Sequence, residues 1–186
     1  MQSSPNPQGQ FPQQQEPPAS NPFGSAEAQA VLLNQNLTQA YNAAGGNFYS
    51  IAVFSLINSV IGYFEGGLYF PIGLAITQLI DAFSLLFQEE FPGSKTLFFV
   101  IGVALDFIVL GIVALFGFFI KRKTKWLIIV GGVLYLLDGL LFLLFQDWIG
   151  TAFHAYFIFK IWQSWQLIQK FSPVKIKQQS AIESPL

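Results

Sequence analysis

At 186 residues the chain has room for one domain with tails; 53% of it is apolar and only 10% charged, against roughly 25% charged in soluble proteins. The net charge of −1 hides a segregation, because all nine Lys and Arg fall from Lys95 onward and eight of them from Lys121 onward. This composition argues against an ordinary soluble core and a nucleic-acid partner, and the absence of cysteine rules out disulfides and thiolate metal sites.

Residues 1–24 hold six Pro and six Gln and too little apolar surface for a core, so a disordered tail is expected. No basic start or apolar run resembling a secretory signal precedes residue 47, and the first span is expected to act as the targeting signal. Residues 26–44 read as a short amphipathic helix. Ser25 can cap it, Ala30, Leu33, Leu37, Tyr41 and Ala44 recur at helical spacing, and Gly45-Gly46 is expected to stop it. Its polar face carries no Lys or Arg, so anionic lipid is not what holds it.

Five apolar stretches follow within a transmembrane domain over 47–171. They are placed at 48–64, 68–87, 97–120, 126–145 and 148–170, near the roughly 20 residues that cross a bilayer as helix. Glu65-Gly66-Gly67 is the turn between the first two, and Pro71 falls early in the second, where a missing N–H does little harm. Between the third and fourth lies the turn Lys121, Arg122, Lys123, Thr124, Lys125, with four positive charges. These four residues determine topology and belong on the cytoplasmic side. Lys170, Lys175 and Lys177, two spans later, join them there, which puts Glu89, Glu90 and the amino terminus outside. The segment 172–186 reads as a polar tail. Trp126, Trp148, Trp162 and Trp165 are expected as anchors at the membrane–water interface.

Few polar groups lie at membrane depth. An aspartate there costs about 2.5–3.5 kcal/mol even on mild insertion scales, so Asp81, Asp106 and Asp138 should face the bundle interior and find partners. Counted from the outer ends of their spans, these three and His154 all fall roughly 9–14 Å deep, with Asn58 just below. The expectation is one polar layer, in which His154 is the partner able to change charge near neutrality. Asp81 and Asp138 also sit in similar contexts, IGLAITQLIDAFSLLF and VGGVLYLLDGLLFLLF, compatible with a duplicated hairpin. Gly102, Gly111, Gly117, Gly131, Gly132 and Gly139 are candidates for close helix approach.

Catalytic signatures are missing. There is no Gly-x-Ser-x-Gly, no phosphate-binding glycine loop and no Gly-x-Gly-Asp, and one His with aspartates is a poor zinc set. The sequence thus predicts an all-α integral membrane protein, a bundle of five transmembrane helices preceded by a short amphipathic helix. It is expected to be multi-pass in a cell membrane, a bacterial inner membrane, with a cytoplasmic carboxyl terminus. No enzymatic activity, cofactor or metal is expected. The partners are the lipid bilayer and either a second copy or another membrane protein. The role expected first is a scaffold or accessory subunit of a membrane complex. The alternative is a small proton- or cation-coupled transporter or channel built on Asp81, Asp106, Asp138 and His154.

Overall fold

The computed structural model describes residues 22–65 and 73–172. The expectations for the Pro/Gln tail before residue 22, the Gly66-Gly67 turn, Pro71, and the polar tail with Lys175 and Lys177 fall outside those residues. Everything described is helix and short connections: α1 (Pro22–Glu65), α2 (Ala75–Glu90), a single 3₁₀ turn (Pro92–Ser94), α3 (Lys95–Lys121), α4 (Trp126–Leu144) and α5 (Trp148–Lys170). Among them, three are long and apolar enough to cross a membrane, in the segments Ala28–Tyr63, Pro92–Lys121 and Trp126–Leu144.

The first correction concerns α1. The expected stop at Gly45-Gly46 does not occur, and the surface helix and first span are one helix of 44 residues, about 66 Å long. Its buried stripe runs straight through the glycine pair: Ala40, Tyr41 and Ala44 before it, Phe48, Ile51, Ala52 and Ser55 after it. Gly45 serves packing. A Cβ there would stand 2.5 Å from the Gly117 carbonyl oxygen and 2.6 Å from Lys121 Cγ, so the missing side chain lets α1 and α3 touch.

The second correction is direction. Five crossings would make the first and third spans parallel. Instead α1 runs antiparallel to α3, with Gly45 beside Gly117 and Lys121, Phe48 stacked on Phe116 at 6.1 Å, and Tyr63 edge-on to Phe99 at 5.2 Å. The amino-terminal part of α1 therefore shares an end of the bundle with the basic turn, rather than lying opposite it.

The third correction is α2. The predicted span at 68–87 is replaced by a helix of 16 residues beginning at Ala75, shorter than a bilayer crossing. Gly73 precedes it with φ +146°, and a Cβ there would lie 3.0 Å from Ser55 Cα. Both the backbone conformation and the close approach call for glycine. Since Ser55 lies ten residues before the end of α1, α2 starts alongside the middle of the bundle and runs out to Glu90. α5 is long enough to span but is diluted by Lys160, Gln163, Gln166 and Gln169. The core joins α1, α3, α4 and α5 through Ile51, Ile120, Ile128 and Ile168, with Leu37 and Trp165 packed against it.

Candidate functional site: two buried carboxylate clusters

A helix that starts inside a bundle has an electrostatic problem, because its first backbone N–H groups have no partner within the helix and no water to turn to. Side chains from two other helices solve it for α2. Leu74 N–H donates to Ser55 Oγ at 2.8 Å, and the Ser55 hydroxyl donates to the Ile51 carbonyl at 2.9 Å. Ala75 N–H donates to Asp138 Oδ2 at 2.8 Å and Ile76 N–H to Asp138 Oδ1 at 2.9 Å. A carboxylate from α4 thus caps the start of α2 across 63 residues of sequence, and its negative charge faces the positive end of the helix dipole.

The same carboxylate meets His154 of α5. Nε2 lies 2.9 Å from Asp138 Oδ2, and Nδ1 lies 3.0 Å from the Gly150 carbonyl oxygen. A carbonyl only accepts, so Nδ1 carries a hydrogen. The Nε2···Oδ2 contact then needs one further proton, and that proton makes the pair either imidazolium with carboxylate or imidazole with carboxylic acid. The first arrangement gives the carboxylate three donors at once, and the second gives up one of them. The imidazole ring is clamped by Tyr135, stacked at 4.3 Å, and by Phe142 at 4.9 Å. Gly139 makes room for it, since a Cβ there would be 3.0 Å from His154 Cβ. His154 is 2% exposed and Asp138 9%.

Asp81 and Asp106 form a different cluster. Asp81 is six residues beyond Ala75, about 9 Å further along α2, so the single layer expected from the sequence resolves into two groups. Asp106 of α3 lies next to Asp81 and Ser59, and Tyr63 lies next to Asp81 and Ser84. Asn58 is buried on the same turn of α1 as Ser59. Asp81 and Asp138, similar in sequence context, have different roles and surroundings.

The remaining sequence candidates sit at the ends of the bundle. Lys121 Nζ lies 4.7 Å from the Tyr49 ring centre, the Arg122 guanidinium 4.3 Å from Phe118, and Lys125 Nζ 5.1 Å from Trp165. Lys123 takes a left-handed backbone conformation at φ 68° and closes the turn. Trp126, Trp148 and Trp162 are exposed. Trp165 departs from that role, because it packs on the core and holds Lys125 through cation–π attraction.

Open apolar spaces lie along the helices. A cavity of about 450 Å³ between α3 and α4 is walled by Val109, Ile112, Phe116, Leu134 and Tyr135, and reaches Asp138. A groove of about 480 Å³ runs along α4 and α5 past Gly132 and Trp162. Among the described residues no group of three or more His, Asp or Glu is placed to hold a metal ion.

Sequence reasoning missed Ser55, Ser59 and Tyr63. A helical register drawn from Ala44 through Phe48, Ile51 and Ala52 to Ser55 and Ser59 would have placed the serines on the buried face. No protein-family model matches the chain, nor does any curated protein or solved structure.

Proposed function

We propose that the chain is a multi-pass integral membrane protein of non-enzymatic type, a scaffold or accessory subunit of a membrane complex. In this reading α1, α3, α4 and α5 cross a cell membrane. α2 begins at mid-depth and rises to the outer side. The basic turn is cytoplasmic, and because Gly45 shares its end, so is the amino-terminal part of α1.

The observation that carries the reading is the full engagement of Asp138 and His154. Their polar atoms are used in fixing the start of α2, and the cavity that reaches Asp138 is apolar, which suits lipid tails rather than hydrated ions. Polar groups so used specify helix packing. The second reading, a proton- or cation-coupled transporter, is favoured by the Asp81–Asp106 cluster, which has no such engagement.

Reconstitution in proteoliposomes containing a pH-sensitive dye separates the two. The scaffold reading expects no proton flux above that of empty vesicles, for wild type and for Asp106→Asn alike. Flux that appears with wild type and disappears with Asp106→Asn, a change outside the cap of α2, would replace it with the transporter.

A further inference from the structure

The Asp138–His154 pair is closed, and the cluster between α1, α2 and α3 is not. Asp81 Oδ1, both carboxyl oxygens of Asp106, the Ser59 hydroxyl and the Tyr63 hydroxyl are shut off from solvent and have no hydrogen-bond partner in good geometry. Asp106 and Ser59 are each 4% exposed and Asp81 8%. The Ser84 hydroxyl, beside Tyr63, donates to the Phe98 carbonyl and accepts from Gln88 Nε2, so its one hydrogen is not available to the carboxyls. Gly102 leaves room for the Tyr63 and Ser84 hydroxyls, since a Cβ there would lie 2.6 Å from each oxygen.

The charge balance is the telling feature. From α1 the cluster receives Ser59 and Tyr63, from α2 Asp81, and from α3 Asp106. The nearest charged residues along these helices are Glu65, two residues beyond Tyr63, then Glu89 and Glu90, two turns beyond Asp81, and Lys95, three turns before Asp106. α4 brings Asp138 to the start of α2, where His154 already pairs with it. Among the described residues, then, two adjacent carboxyls are buried with no basic side chain against them. Two uncompensated carboxylates side by side in apolar surroundings are prohibitively costly, and two hydroxyl donors do not neutralise a double charge.

We propose that Asp81 and Asp106 form a proton-binding site, one proton held between their neighbouring carboxyl groups. Loading forms one O–H bond on one carboxylate and breaks none in the protein. The carboxylic acid then donates to its neighbour, and the Ser59 and Tyr63 hydroxyls donate to the oxygens that remain. Carboxyl pairs of this kind titrate as a unit. A proton fits better than a metal cation because the site offers only two carboxyls and coordination needs more hard oxygen ligands than these. The inference goes beyond the scaffold reading and does not depend on it.

Dicyclohexylcarbodiimide, an apolar reagent that modifies protonated carboxyls in apolar surroundings, tests the site. The full chain in detergent micelles is treated across a pH series, with and without sodium chloride, and the modified peptides are read by mass spectrometry. The expected result is modification of Asp81 or Asp106 that falls in one step as pH rises and is insensitive to sodium. In Asp106→Asn, the pH dependence of Asp81 modification should change, because the neighbouring carboxyl that shared the proton is gone. Absence of label on both residues at every pH would overturn the proposal. So would suppression by sodium, which would make the occupant a metal cation, and so would an unchanged pH dependence of Asp81 labelling in Asp106→Asn. Should that variant not fold, the wild-type pH and sodium series still decides.

Discussion

At the scale of single residues, Asp138 does three things with one carboxylate, and the consequence of removing its charge can be stated. Asp138→Asn leaves one acceptor oxygen for two backbone N–H groups and His154, and turns an amide NH₂ toward groups that are already donors. Breaking a buried pair by neutralising one partner costs about 3–5 kcal/mol, large against the stability of a domain this size. The loss should be local before it is global, because the start of α2 depends on that side chain. Hydrogen–deuterium exchange of the reconstituted protein should show lost protection at Ala75, Ile76 and the following turn of α2, while α3 stays protected. Unchanged protection in α2 would mean that the cap contributes nothing. The sequence pointed to Asp138 and His154 because charged groups at membrane depth must have partners. It could not show that two of the partners are backbone N–H groups, since every residue but proline has one. Pro71 and Gly73 were the available hint of a late helix start.

At the scale of elements, the glycine pair in α1 makes a test with opposite signs at adjacent positions. Glycine inside a helix costs roughly 1 kcal/mol relative to alanine. At Gly46 a Cβ meets nothing within 4 Å, so Gly46→Ala should recover about 0.5–1 kcal/mol. At Gly45 the added methyl would strike the Gly117 carbonyl, a backbone atom that cannot swing aside. Gly45→Ala should therefore lower the thermal midpoint in detergent while Gly46→Ala raises it, and equal shifts in the same direction would contradict the α1–α3 contact. Here sequence reasoning failed for a physical reason. Gly-Gly is a sound helix stop when nothing packs on it. Whether something does depends on α3, more than 70 residues away. The apolar stripe of α1 was legible from Ala30 to Ala44; its continuation to Ser55 in the same register shows only in the unbroken helix.

For the whole molecule, the periodicity and length of the apolar runs were enough for an all-helical chain with helices able to cross a membrane. The number of crossings was not recoverable from them. Apolar length measures capacity to span, and it does not fix where a helix begins, as the start of α2 at Ala75 demonstrates. The antiparallel pairing of α1 with α3 then turns the first helix over relative to the positive-inside reading of five crossings. α1 is also far longer than the hydrocarbon core of about 30 Å. Since its carboxyl-terminal half packs in the bundle, the part before Leu37, rich in exposed Asn and Gln, projects beyond the end that carries Lys121 to Lys125. The absence of native cysteine makes this directly testable. Single substitutions Gln35→Cys, Lys123→Cys and Glu89→Cys, all at exposed positions, are treated in oriented vesicles with a membrane-impermeant maleimide. Gln35→Cys and Lys123→Cys should react from the same side and Glu89→Cys from the other. Reaction of Gln35→Cys together with Glu89→Cys would restore the five-crossing order, and would require α1 to leave α3 and turn around at Gly45-Gly46, which the direct glycine–glycine contact opposes.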